Sequence, residues 1–383
     1  MAFTGSKAAT GLSGRVAKLS PGKRLLIRIS DLWAWLFLAL MIAFFVVSVP
    51  VFSSASFVSV RNSQNILIAI TPVVLLGLGQ TFVIISAGID LSVGWVMSLA
   101  SVLSALAIRD SYNIGAPIWL AVILGLLAAI FGGGLVGFLN GTIIAKLKVP
   151  AFIVTLGSSF IVRGVALLMA ENTTVIGLPD IRAYGNEALL YYVRGDSEYA
   201  GFHFLEKPAL PTDMLRQLDR ILPWPVVLTA VVVGIVMFIL HRTQFGRHTY
   251  AIGGNPEAAR RAGIPVDRRI IAIYALSAAT AGIGGFLSTL QYTAGSAVIG
   301  DPLLLSSIAA VIIGGVSLFG GAGTIMGTVI GSLIIAVLTT GLVMLNVQAF
   351  WQFIVVGAVV IIAVLIDQSR ELIVGNSRSG VTE

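Results

Sequence analysis

Two stretches of this chain carry residue types at spacings that could do chemistry. The first, Gly88-Ile89-Asp90-Leu91-Ser92-Val93-Gly94, sets a carboxylate and a hydroxyl between two glycines, with apolar runs on either side. A glycine at each end permits a tight break, and Asp90 with Ser92 can cap the helix that follows. A carboxylate between apolar runs is costly unless it is capped, paired or wet. Asp90 is therefore either a structural cap in a turn or part of an irregular element lining a passage. The two are compatible, because non-helical backbone at depth is tolerated only beside protein or a water-filled cavity. The second stretch, 242–269, gathers Arg242, Arg247, Arg260, Arg261, Arg268 and Arg269 between nearly uncharged runs. In it Asn255 is a good N-cap, Pro256 suits the first helical position, and Gly263 fits the C′ position of a helix over 256–262. Two turns are too few to persist alone in water, so this helix must be held by something. Ala258, Ala259 and Ala262 give it a small, close-packing side, and Glu257 and Arg260 give it charge. Such a helix on the inner face of a membrane protein is the shape expected where a soluble motor docks.

Other chemistries are missing from the sequence. There is no cysteine, and His203, His241 and His248 have no ligand spacing, so no metal site is expected. No paired carboxylates or nucleophile–base set suggests an enzyme. No phosphate-cradling GxxxxGK[ST] run occurs, so the chain should neither hydrolyse ATP nor carry a cofactor of its own. No basic patch interleaved with aromatics points to nucleic acid.

The elements that must position these residues are membrane spans. Hydrophobic residues make up 57% of the 383, charged residues 11%, and the mean hydropathy is +0.98. These values predict an all-α polytopic membrane protein in a lipid bilayer. Apolar runs near 32–50, 66–88, 92–108, 117–145, 150–170, 223–241, 270–290, 302–319, 324–344 and 349–366 suggest about ten transmembrane helices. The first is too long for a signal-peptide core and reads as a retained span. The expected organisation is a basic cytoplasmic tail at 1–31, a transmembrane domain at 32–367, and a cytoplasmic C-terminal tail at 368–383. Within it 171–222 is a periplasmic insert and 242–269 a cytoplasmic loop. Two-thirds of the Lys and Arg then lie inside, as the positive-inside rule requires. The net charge of +7 thus reflects orientation in the membrane.

Glycines recur four apart at Gly133, Gly137, Gly141 and again at Gly323, Gly327, Gly331, faces that let helix backbones approach closely. Tight packing inside the bundle is the plainer use; a sliding or dimer contact is the other. Ala87–Leu91 resembles Val298–Pro302, and Val149–Phe152 resembles Val347–Phe350, each pair heading a span on opposite sides, as in inverted repeats. Arg163 lies within an apolar run, in its outer half; snorkelling or pairing with an acid is the first explanation and a pathway role the second.

The GIDLSVG run, the GGNPEAARRAGI loop and the glycine-rich run from Ala309 to Thr324 resemble the ribose/xylose-type permeases of bacterial monosaccharide ABC importers. The resemblance covers about 60–366, interrupted by 171–222, an insert longer than in the simple ribose permeases. It implies an inner-membrane subunit that pairs with a second permease, expected to be a copy of itself, and binds cytoplasmic ABC ATPase subunits that hold the ATP. It also implies a periplasmic sugar-binding protein as the donor. By resemblance Asn255, Glu257, Ala258, Ala259, Arg260 and Gly263 occupy the ATPase-coupling loop. Gly88, Asp90, Ser92 and Gly94 occupy the translocation-path signature. A neutral sugar asks for hydroxyls and amides, which the spans offer at Gln80, Thr81, Ser98, Ser101, Asn140, Thr155, Ser277 and Thr289. A branched-chain amino-acid permease or a secondary carrier are the competing classes; a carrier would need buried ionisable groups, and mid-span carboxylates are nearly absent.

Overall fold

The computed structural model describes residues 21–359 apart from 196–197 and 212–213, together with 361–362 and 365. The first part of the N-terminal tail and the whole C-terminal tail expected at 368–383 lie outside the described residues. The chain is a helical membrane protein. Its helices are α1 (Pro21–Phe52), α2 (Val60–Ile85), α3 (Val93–Asn113), α4 (Ile118–Leu147), α5 (Ala151–Met169), the short α6 (Arg182–Asn186), α7 (Trp224–Arg242), α8 (Gln244–Gly254), α9 (Pro256–Arg261), α10 (Val266–Tyr292), α11 (Asp301–Ile313), α12 (Ile325–Met344) and α13 (Ala349–Val359). Among the described residues eight are long and apolar enough to cross a membrane: α1 to α5, α7, α10 and α12.

One expectation is corrected here. The run 302–319 does not form a full span. Its helix stops at Ile313, where Gly315 turns left-handed (φ 81°) and Val316 N–H closes back onto Val311 C=O, after which 314–324 runs as a glycine-rich loop. The insert 171–222 carries a small sheet: β1 (Ala188–Val193) pairs antiparallel with both β2 (Gly201–Phe204) and β3 (Leu218–Pro223), in the order β2-β1-β3.

The helices fall into an inner and an outer group. α2, α3, α10 and α12 are buried over most of their length, whereas α1, α4, α5 and α7 bury about a quarter of theirs and present Phe131, Phe160, Ile161, Val231 and Phe238 outward. Outward apolar residues are expected where lipid is the solvent. The glycine faces set the contacts between groups. A Cβ at Gly141 would sit 2.7 Å from Ile271 Cα, at Gly137 it would collide with the Tyr274 carbonyl, and at Gly133 with that of Ala278. Gly282 of α10 answers with a contact onto the Ala129 carbonyl. The first stripe therefore packs α4 onto α10 within the chain, the plainer of its two uses. In the second stripe Gly327 and Gly331 pack on the carbonyls of Gly314 and Ala310 at the end of α11. Gly323 lies in the loop before α12, at φ 148°, and is not part of that helical face.

The repeat suspected from the sequence has a packing counterpart. α10 lies against α4 and α3; α2 lies against α12 and α11. The corresponding helices run in opposite directions: Gly79 of α2 meets Ser277 of α10, while the earlier Leu76 meets the later Gly284. The second members of the matched sequence pairs begin α11 and α13, as the first members begin α3 and α5.

This packing makes a direct prediction. Gly137→Ala should lose about 1–3 kcal/mol by overpacking against a backbone that cannot yield. Gly134→Ala, on the open side of the same helix, should be neutral or slightly stabilising. Thermal unfolding in detergent checks both; equal midpoints for the two variants would remove the stripe from the packing argument.

Candidate functional site

Asp90 organises the break between α2 and α3. α2 ends at Ser86, and the left-handed residue that turns the chain is Ala87 (φ 62°), with Gly88 N–H closing onto Val83 C=O. The glycine expected to permit the turn is needed for space: a Cβ on Gly88 would lie 2.5 Å from the Tyr274 hydroxyl. The chain then folds back among the helices. Asp90 Oδ1 accepts from Ser92 N–H (2.9 Å) and Ser92 Oγ–H (2.6 Å), and Oδ2 accepts from Ser277 Oγ–H (3.2 Å). Gln80 donates its amide to the Asp90 carbonyl, Thr155 donates to the Ile89 carbonyl (3.3 Å), and Asn140 donates to Ser92 Oγ (3.1 Å). Four helices, α2, α4, α5 and α10, thus meet on seven residues of irregular chain.

The cap reading of Asp90 needs correcting. Ser92 holds the N-cap position without a side-chain cap bond, and Asp90 instead closes an Asx-type turn onto Ser92. Asp90 and Ser92 are fully buried and Gly94 is buried with them, so they face protein and not an opening. Their work is to satisfy and fix a break.

A second break answers the first. After α10 the chain runs without helix from Thr293, itself left-handed, to Gly300, along the side of α3. Gly295 packs on Ala105 and exchanges backbone hydrogen bonds with Val175, Ser296 N–H donates to Ser101 Oγ (3.1 Å), and Gly300 N–H donates to Ser98 Oγ (2.9 Å). The two breaks touch where Gly94 and Gly300 each press on the other's backbone, 2.7 Å from a Gly94 Cβ to the Gly300 carbonyl. Ser98 and Ser101 were only two among many span hydroxyls in the sequence; the matched Gly–Asp pairs were the signal for this second break.

The 242–269 stretch holds more than the expected short helix. α8 precedes α9, and the two are joined at Asn255, which accepts from Ala258 N–H (2.9 Å) as the N-cap of α9. Gly263 (φ 82°) ends α9, with Ile264 N–H returning to Ala259 C=O (3.1 Å). Arg260 pairs with Asp267 at 2.8 Å on the surface. Glu257, Ala258, Arg260, Arg261 and Ala262 are exposed, but Ala259 points inward onto Ile252 and Val266. The three alanines are therefore not one docking side. His248 accepts from Arg269 Nε–H (3.1 Å); burial first, then Arg269 and Arg247, holds its pKa below the usual value.

α8 ties this stretch to the first break and to the loop after α11. Gly253 is pressed against the Ile85 carbonyl and lies 2.6 Å, measured from a Cβ, from Gly321 N. Gly321 N–H in turn donates to Ile85 C=O (2.8 Å). Gly320 (φ 83°) sits on Ala87 and Gly253, and Tyr250 Oη–H donates to Gly323 C=O (2.6 Å). The end of α2, the glycine-rich loop after α11 and α8 are thus joined backbone to backbone.

Residues 62–364 match the family described as the branched-chain amino acid transport system permease component. The chain belongs to this permease family. Its relatives include a fructose import permease of Rhizobium meliloti, 37% identical over 82% of this chain and 79% of that protein. A xylose transport system permease of Haemophilus influenzae is 35% identical over 87% and 95%. A ribose import permease of Bacillus subtilis is 36% identical over 87% and 92%. No solved structure matches the permease. Both breaks and the 242–269 stretch fall inside the matched region.

In this permease Asp90→Asn should keep an acceptor for Ser92 and remain close to wild-type stability. Asp90→Leu strands the Ser92 N–H and two hydroxyls, at about 1–3 kcal/mol for each buried donor left without a partner. Thermal melting of the purified variants separates the two; a Leu variant as stable as the Asn variant would refute the role given to the carboxylate.

Proposed function

We propose that the chain is the membrane-spanning subunit of an ATP-driven, binding-protein-dependent importer for a monosaccharide of the ribose/xylose class. It sits in the bacterial inner membrane with its termini and 242–269 in the cytoplasm and 171–222 outside. The observation that carries this reading is the junction at Gly253, Ile85 and Gly321, because it joins an exposed, capped, charged helix to the first break and to the glycine-rich loop after α11 through backbone contacts. Hydrolysis of ATP belongs to separate cytoplasmic ABC ATPase subunits, which dock on α9 through Glu257, Ala258, Arg260 and Ala262. Ala259 roots α9 on α8, and α8 carries a push to the end of α2 and to the loop after α11. The break at Asp90 and the loop after α11 then move together. A second copy of the chain completes the passage, and a periplasmic sugar-binding protein delivers the sugar at the insert. The fructose, xylose and ribose import permeases among its relatives favour a monosaccharide over a branched-chain amino acid.

Two glycine variants test the coupling. Gly263→Val forces a β-branched residue to φ 82° and should loosen α9, so that the ATPase no longer co-purifies and uptake falls. Gly253→Ala should keep the ATPase bound and hydrolysing, yet break the junction, so that uptake of labelled sugar falls at least about tenfold, the equivalent of roughly 1.4 kcal/mol. Gly254→Ala, with open space around it, serves as the unaffected control. Normal uptake by Gly253→Ala, or uptake that needs no ATPase, would overturn the reading.

A further inference from the structure

The inner end of α7 carries positive charge that no acid among the described residues neutralises. α7 closes on Arg242, and α8 turns back so sharply after Thr243 that a Cβ at Gly246 would collide with the Leu240 carbonyl. The first turn of α8 is therefore pressed on the last turn of α7, with Arg242 and Arg247 beside the contact. His248 ties this corner to the start of α10, accepting from Arg269 Nε–H at 3.1 Å. The Arg269 guanidinium also lies 5.6 Å from the centroid of the Phe245 ring, which itself packs on Phe82 of α2. Neutral partners thus fix its direction, and its Nη nitrogens have no acceptor among the described residues.

Arg242 and Arg247 are exposed, and neither has a side-chain hydrogen bond or an ion pair among the described residues. No acidic residue occurs from 221 to 256. Beyond that, Glu257 lies on α9 and Asp267 is taken by Arg260. Burial first, then Arg269 and Arg247, keeps His248 neutral, so its Nε2 is one more donor. A charge run on a surface is usually just solvated; this one differs in where it stands. Val231, Ile235 and Phe238 follow one exposed face of α7, and the next residue on that face is Arg242. A stripe that meets lipid chains therefore ends on a cation, at the level where the headgroups of a leaflet lie.

We propose that Arg242, Arg247, His248 and Arg269 hold the headgroup of an anionic phospholipid of the inner leaflet, with an acyl chain laid along Val231, Ile235 and Phe238. The choice of leaflet rests on the orientation proposed above. Basic pockets between spans at the cytoplasmic surface are where such lipids are recognised. The guanidinium groups offer forked donors that match phosphate oxygens, and His248 adds a single one. An acidic surface of the ATPase would meet the same charges, but the apolar stripe runs from them into the bilayer, away from α9. Because Arg242 belongs to α7, Arg247 to α8 and Arg269 to α10, one headgroup fastens α8 to the ends of two spans. α8 is also the element that packs on Ile85 and Gly321, so the lipid sets how readily that junction shifts.

To test this, the permease purified with its ATPase is titrated with dioleoylphosphatidylglycerol or dioleoylphosphatidylcholine, and bound lipid is counted by native mass spectrometry. The anionic lipid should bind more tightly. Arg247→Gln should weaken it about fivefold, the contribution of one cation at a membrane surface, and adding Arg242→Gln should bring the loss to roughly 25-fold. Arg261→Gln, which removes an exposed charge from α9, should leave it unchanged. Equal binding of the two lipids, or an equal loss with Arg261→Gln, overturns the proposal, because the effect is then one of bulk charge. Displacement of the lipid by millimolar inorganic phosphate also overturns it and makes the cluster a site for a free anion. So does Arg247→Gln protein that keeps the lipid and loses the ATPase, which would give the cluster to the partner subunit. If no ATPase co-purifies with the wild type, the importer reading fails, and the titration of the permease still decides the lipid site.

Discussion

Non-helical chain inside a membrane-spanning bundle has no water to bond with, and every N–H and C=O in it must find a partner in the protein. The rest of this structure depends on meeting that condition twice. At the first break the partners are Asp90, Ser92, Gln80 and Thr155. At the second they are Ser98, Ser101 and the backbone of Val175. The hydroxyl and amide residues of the inner helices are placed to supply them, and several that also bond their own helix, such as Thr155 and Thr289, serve two turns of chain at once. The glycine faces follow from the same condition. Side chains can reach the breaks only if α2, α4 and α10 lie close enough for Asn140 and Ser277 to converge on seven residues.

The class of fold was legible because hydropathy reports on lipid directly. Eight of the ten expected runs are long spanning helices, and the first break fell where the Gly–Asp–Ser spacing put it. What the sequence hid was geometry that composition does not encode. The run 302–319 is apolar throughout, yet Gly314-Gly315 ends its helix early. Ala258, Ala259 and Ala262 are alike in type, and only the position of Ile252 and Val266 decides that Ala259 turns inward. The left-handed residue of the first break is an alanine with glycine beside it, so the glycine marks close approach and not the turn. Gly253 and Gly321 carried no signal beyond belonging to Gly-Gly pairs, because each matters only through a partner dozens of residues away.

The junction of α8 with the first break and the loop after α11 uses backbone against backbone, and that choice has a mechanical consequence. A contact between long side chains can absorb a small displacement by changing rotamers. A contact between peptide groups at glycines cannot, since protein packed at this density transmits strain. A displacement of α8 must therefore move Ile85 and Gly321 together or break the hydrogen bond between them.

The division into inner and outer helices explains why irregular chain is tolerated where it is. Both breaks follow helices of the inner group: α2 leads into α3, and α10 leads into the short α11, while α1, α4, α5 and α7 lie outside. The opposed directions of α2 and α10 bring the two breaks to the same depth from opposite sides, so that Gly94 and Gly300 meet there. A single break would leave one half-helix to find all its partners in unbroken neighbours. Two that abut share the space glycine opens and the hydroxyls of one helix, Ser98 and Ser101 of α3. In such an arrangement neither break can be rebuilt as continuous helix without expelling the other, and the inner group is held to a pair of bent paths whose meeting point lies near the centre of the span.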